Sequence, residues 1–263
     1  MSVEATKLEQ AARDPADWSA ALAQLFAEPW RVRPAFQPII DLEHRTVWGF
    51  QVLARFISPL RATPPEWLEA AGHLGRRHAL ETRLLEAGLQ ELEGVPERCK
   101  LLLPVSPSTL LQHDVQKELF RHVRVIRNVV LDLTDDGPGI DVGDLLDAVE
   151  PVRRDGGRIA VTAGASPGGL DALVRLRPEV LKVGRDFVEG LESDPAHRAV
   201  VEGLTQLVSA LGGRVLAVGI EAQAQLDVLT ACGITLGQGF GLGRPVPSMA
   251  TGIAGGSAPL LKA

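Results

Sequence analysis

The sequence predicts an α/β protein folded as a closed β/α barrel with one antiparallel strand near its start. Three observations carry this. Short apolar runs of four or five residues alternate with amphipathic stretches along most of the chain, the pattern of parallel strands joined by right-handed helical crossovers. Six or more such units follow one another without interruption, which favours closure over an open sheet. The first two strands, within Phe36 to Phe56, are separated only by Asp41 to Thr46, a link too short for a parallel crossover. At 263 residues the chain can bury the core that one barrel needs.

The elements follow in order. Residues 14 to 28 form a helix: Asp14 caps it, Pro15 suits its first position, and Trp18, Ala21, Leu22, Leu25 and Phe26 recur at helical spacing. Its apolar stripe either closes the bottom of the barrel or meets a partner. After the opening hairpin, Thr63-Pro64-Pro65-Glu66 is a helix start with a capping box, and helical sequence continues to about Glu93. Strands are expected at Leu101 to Val105, Val129 to Leu133, Arg158 to Val161, Val180 to Val183, Arg214 to Val218 and Ile234 to Leu236. Helices are expected through Leu110 to Leu119, over 141 to 154, from Asp194-Pro195 to the paired Gly212-Gly213, and over 222 to 232. Thr162 to Gly169 reads as a small-residue loop and Thr251 to Ala263 as a tail without periodicity. The organisation expected is an N-terminal helical extension over 1–30, the barrel over 31–250 and a flexible tail over 251–263.

Composition narrows the function. With 27 basic and 33 acidic residues the formal charge is −6, which argues against a broad nucleic-acid footprint. No apolar run approaches the roughly 18 residues of a spanning helix, and the N-terminus has no apolar leader core. A cytoplasmic protein with no membrane association is the expectation. Cys99 and Cys232 lack metal or redox spacing and read as buried thiols. His73, His78, His113 and His122 fall on helices without metal spacing. Gly164 to Gly169 lacks the Lys-Ser/Thr of a phosphate loop.

Chemistry in such a barrel sits at the C-terminal ends of the strands. Those ends carry Gln51 and Arg55, Pro104, Asp132 and Asp135, Thr162 and Ala163, Lys182, Val218 and Glu221, and Gln238. Around them run Phe36-Gln37-Pro38-Ile39, Val52-Leu53-Ala54-Arg55-Phe56, Val105-Ser106-Pro107, Leu131-Asp132-Leu133-Thr134, Leu181-Lys182-Val183, Gly219-Ile220-Glu221, and Gln238-Gly239-Phe240 with Gly243-Arg244-Pro245. Seven motifs in this order, over about residues 34 to 248, resemble the EAL family of bacterial cyclic di-GMP phosphodiesterases. The resemblance implies a TIM-like barrel of EAL type and a two-metal hydrolysis, with Mg²⁺ or Mn²⁺ ions about 3.5–4 Å apart held by hard oxygen ligands.

Against that pattern several positions differ. Gln51 stands for the glutamate that names the family, Pro104 for an asparagine, Thr162-Ala163 for the aspartate pair, and Val218 for the first glutamate of the seventh-strand motif. Asp132 replaces a glutamate, while Lys182, Glu221 and Gln238 stand as the family has them. Four of five metal-binding carboxylates are gone by this count, and a rescue by Asp135, Asp136 or Glu221 needs new geometry. The expectation is therefore no metal, no cofactor and no catalytic residue: a non-catalytic signalling or regulatory module working through contacts with another protein, with a homodimer open. The alternative is a receptor that binds cyclic di-GMP without hydrolysis, through Gln37, Leu53, Arg55, Glu221, Phe240 and Pro245. An active phosphodiesterase ranks third. Lys182 and Arg55 are also candidates for buried pairing with Asp132 or Glu221.

Overall fold

A computed structural model describes residues 14–134, 140–164 and 169–254. Its strands are β1 (Val32–Asp41), β2 (Thr46–Phe56), β3 (Lys100–Val105), β4 (Val129–Leu133), β5 (Arg158–Thr162), β6 (Val180–Val183), β7 (Arg214–Val218) and β8 (Leu236–Gln238). They close into a barrel in sequence order. Strand β1 runs antiparallel to both neighbours, β2 and β8, and every other pairing is parallel. The short Asp41 to Thr46 link produces the antiparallel strand that its length demands. Strand β8 begins two residues later than the apolar run suggests. The cause is local: Gly233 takes a left-handed φ of 82°, and the Ile234 amide donates back to Leu229 O at 3.1 Å, so Ile234 belongs to a helix terminus.

The helices are α1 (Pro15–Ala27), α2 (Pro64–His73), α3 (Arg77–Leu89), α4 (Pro107–Leu110), α5 (His113–Arg121), α6 (Val142–Arg154), α7 (Gly169–Leu176), α8 (Arg185–Val188), α9 (Pro195–Ala210), α10 (Gln223–Ala231) and α11 (Met249–Ala254). The helical sequence expected from Thr63 to Glu93 is two helices, broken where Gly75 adopts φ 66° and terminates the first. Helix α11 occupies the start of the region read as a tail; residues 255–263 lie outside the described residues.

Two apolar layers organise the barrel. Outward-facing strand residues join the helices in one continuous core. Inside the barrel, Ile39, Leu102, Val130, Ala160, Val180, Leu216 and Leu236 form a separate layer, as expected where alternate residues of each strand point inward. A shift in the β1–β2 register between Ile39 and Ile40 leaves Trp48 as an extra residue and turns it towards the inner layer. The next inward positions towards the mouth, two residues along each strand, are Gln37, Pro104, Asp132, Thr162, Lys182, Val218 and Gln238.

The β1–β2 ladder is longer than the barrel. Strand β2 pairs with β3 only through Gln51, yet its ladder with β1 continues to Phe56 opposite Val32. The pair therefore projects past the mouth as an arm. Helix α1 packs there and not across the bottom: Ala21, Leu22 and Leu25 share a cluster with Val32, Trp67, Ala71 and Leu80, and the Trp18 and Trp67 rings meet edge to face at 5.1 Å.

Candidate functional site

Barrel periodicity delivers a ring of polar side chains where the interior would otherwise stay apolar. Asp132, on β4, is fully buried. Its Oδ2 accepts from Lys182 Nζ at 2.6 Å and from Gln51 Nε2 at 3.0 Å. Gln51 Oε1 in turn accepts from Gln238 Nε2 at 2.9 Å. That same nitrogen also reaches Gln37 Oε1 at 3.1 Å, and Gln37 Nε2 donates to the Gly243 carbonyl at 3.1 Å. Side chains from β1, β2, β4, β6 and β8 thus form one connected network. The carbonyl of Gln238 is engaged too, accepting from the Gly219 and Ile220 amides at 2.8 and 3.0 Å, which fixes the turn leaving β7 against the end of β8.

The network is incompletely satisfied. Asp132 Oδ1 and Gln238 Oε1 are buried without a hydrogen-bond partner. An unpaired buried acceptor costs about 1–3 kcal/mol, so two of them beside a buried ion pair mark a place shaped for something other than stability.

Other residues singled out from sequence stand apart from this ring. Pro104 and Leu53 line an apolar cavity outside it. Thr162 and Val218 are half-buried at the mouth, Val218 against the inner apolar layer and Ala163 against the outer core. Arg55 is exposed near the tip of the arm, with one long contact to the Ala54 carbonyl at 3.4 Å, and it does not reach Asp132 or Glu221. In register it faces Arg33, whose Nε donates to the Trp30 carbonyl at 3.3 Å. Glu221 is half exposed and pairs with Arg185. Phe240 is 47% exposed, its ring covered by the Arg244 guanidinium at 4.7 Å, and Pro245 lies half-buried beyond it. Asp135, Asp136 and residues 165–168 lie outside the described residues.

One supporting group has no signature in the sequence. Glu81 of α3 is buried and accepts from the amide and hydroxyl of Ser106, the residue that follows β3, and from Arg77 at 2.9 Å. Ser106 is legible as a helix cap before Pro107; its acidic partner, 25 residues earlier on another helix, carries no local signal.

With this geometry in hand, likeness to known proteins is informative. The family model of the EAL domain matches residues 19–245. MucR of Pseudomonas aeruginosa, a bifunctional diguanylate cyclase/cyclic di-GMP phosphodiesterase, is 31% identical over 139 residues, covering 52% of this chain and 20% of its own. RocR of the same organism, a cyclic di-GMP phosphodiesterase, is 26% identical over 222 residues, covering 81% and 57%. The chain therefore spans less than two thirds of either relative. An EAL domain protein from Listeria monocytogenes superposes with a TM-score of 0.79 at 15% identity, over 93% of this chain and 98% of its own. Klebsiella pneumoniae BlrP1, solved as a manganese/cy-diGMP complex, gives 0.69 at 23% identity, over 82% and 56%.

Two expectations are corrected by these matches. The expectation that the chain is not an enzyme is overturned by relatives such as RocR, aligned over most of it and named a phosphodiesterase. The expectation of no metal cofactor is overturned by a structural relative that holds manganese beside cy-diGMP. The physical reason lies in the carboxylate count, which ignores neutral oxygens, and amide, hydroxyl and carbonyl oxygens also bind hard cations. Gln238 Oε1 is such an amide oxygen without a partner, beside the unpaired Oδ1 of the one carboxylate retained, Asp132. As arranged, the side chains do not fit a pair of divalent ions: Asp132 Oδ2 is already held by Lys182, and no group of three His, Cys, Asp or Glu suited to a metal occurs among the described residues. Nor is any described helix long and apolar enough to cross a membrane.

Proposed function

Since the chain belongs to the EAL domain family, we propose that it takes cyclic di-GMP at the C-terminal mouth of its barrel, as a domain of the phosphodiesterase class to which its relatives are assigned. One observation carries the reading: five strands bring Gln37, Gln51, Asp132, Lys182 and Gln238 into a single buried network that leaves two buried oxygens unpaired. These oxygens can accept from a ligand's guanine or ribose donors. Above them stands Arg55, exposed with one long contact to the Ala54 carbonyl, whose guanidinium would give a phosphate a forked donor. Phe240, just after β8, is 47% exposed with the Arg244 guanidinium over its ring, and offers an aromatic surface to a base.

Calorimetry with cyclic di-GMP, with and without Mn²⁺, tests this, with chromatography of the same samples for the linear dinucleotide. Saturable binding is expected in wild type and at least tenfold weaker binding in Arg55→Ala. The melting temperature of that variant should stay within about 1 °C of wild type, because an exposed arginine with one backbone contact contributes little stability. Absence of binding under both conditions sinks the reading. Formation of linear dinucleotide extends it from binding to turnover.

A second reading adds contact with another protein. It is favoured by Leu170 and Val174, which lie one turn apart on α7 and are 64% and 45% exposed. Sedimentation of wild type and Leu170→Asp examines it, with a second copy of the chain as the partner; a monomer at every concentration argues against self-association.

A further inference from the structure

Behind the arm, on the face turned away from the barrel mouth, lies a cavity of about 310 Å³. Its walls are aliphatic: Val32, Pro34 and Val52 of the β1–β2 ladder, Leu68 of α2, Leu84 of α3 and Leu103 of β3. Its volume is about that of ten waters, and its walls offer few hydrogen-bond partners. Its size and lining are those of a small-molecule site.

The cavity has a polar neighbour. Val32, Arg33, Pro34 and Ala87 are shared with a second cavity of about 390 Å³, whose walls include Trp30, Arg83, Glu86, Gln90 and Glu91. Arg33 stands at the junction. It is exposed and donates from Nε to the Trp30 carbonyl at 3.3 Å, with no acidic partner among the described residues. Arg83, the other cation there, is already paired with Glu86 at 2.9 Å. An apolar chamber opening past one unpaired guanidinium into a wet vestibule has the layout for an amphipathic anion.

We propose that this double cavity binds a medium-chain carboxylate, with the alkyl chain between the arm and helices α2 and α3 and the carboxylate at Arg33. The alkyl chain covers apolar wall, and Arg33 gains the forked acceptor it lacks. Two of the chamber's lining residues, Leu53 and Pro104, belong to the strands that carry Gln51 and adjoin Asp132, so the chamber shares a wall with the polar network.

Decanoate is the probe, titrated calorimetrically into the full chain below its micelle-forming concentration, with decylammonium as the same chain bearing the opposite charge. Expected are one-to-one binding of decanoate, a raised melting temperature in its presence, and at least tenfold weaker binding of decylammonium. Ala87→Phe fills the junction and should weaken decanoate tenfold or more without lowering the melting temperature. Arg33→Gln should remove most of the preference for decanoate over decylammonium. Should Ala87→Phe fail to fold, Ala54→Phe fills the chamber from β2, and Arg33→Gln still reads the head group. No saturable decanoate binding, equal affinity for the two head groups, or undiminished binding by a folded, filled variant would each overturn the proposal.

Discussion

The Asp132–Lys182 pair shows what a buried charge requires. Asp132 Oδ2 takes both the Lys182 ammonium and the Gln51 amide, and removing either charged partner strands the other in a site with little water. Lys182→Ala should lower the free energy of unfolding in urea by about 3 kcal/mol, whereas the double change Lys182→Met with Asp132→Leu should recover most of that loss while abolishing ligand binding. If the double variant is as unstable as the single one, the pair contributes through packing and not through charge. Glu81 makes a second case, since it holds Ser106 by two hydrogen bonds; Glu81→Ala should cost about 3 kcal/mol in the same measurement. Asp41 sets a pH dependence. Burial raises its pKa, but the His44 amide and ring and the Arg214 guanidinium outweigh burial and hold the carboxyl below its ordinary value. A depressed folded pKa contributes stability above the unfolded value, near 4, and loses it as pH falls through the folded one. Stability between pH 5 and pH 2.5 should therefore fall less steeply in Asp41→Asn than in wild type.

At the scale of elements, the junction of β7 and β8 allows no side chain at one position. A Cβ on Gly239 would lie 2.0 Å from the Ile220 carbonyl oxygen and 2.2 Å from its nitrogen, both backbone atoms unable to step aside. Gly239→Ala should therefore displace the Gln238 carbonyl from the Gly219 and Ile220 amides and lower the melting temperature by several degrees, about 1–3 kcal/mol for each buried group left unpaired. Thermal unfolding with the near-ultraviolet signal checks it; an unchanged midpoint would mean that the turn relaxes freely. Helix ends were the most readable elements. Asp14, Thr63 and Asp194 all cap helices where their sequence context predicts, because a cap depends on residues three or four apart. Helix α7 was not, since it follows a small-residue stretch that supplies no capping signal.

For the molecule as a whole, the barrel and its antiparallel opening were legible because alternation of strand and helix, and the length of one link, are local properties. The ring of polar residues was legible as strand ends. Its wiring was not: that Gln51 bridges Asp132 to Gln238 depends on strands 81 and 187 residues apart. Counting carboxylates treated each position alone and missed the oxygens that their neighbours leave open. The reach of Arg55 was likewise misjudged, since only the projecting ladder places it away from Asp132. Closure itself rests on a narrow seam, with Ile40 and Asp41 opposite Gly237 and Leu236 and the Leu42 amide on the Thr235 carbonyl at 3.0 Å. Amide hydrogen exchange should find these seam amides opening before those of β3 to β6.

The projecting ladder has a mechanical consequence. Anchored at the seam and packed under helix α1 at its far end, it is a beam held at both ends, and hydrogen-bonded strands resist stretching far more than bending. Gln37 and Gln51 sit partway along it, directly opposite one another. A shift of α1, or a molecule behind the arm, is therefore expected to reach these two amides as a tilt, which the side-chain amide resonances of Gln37 and Gln51 would report.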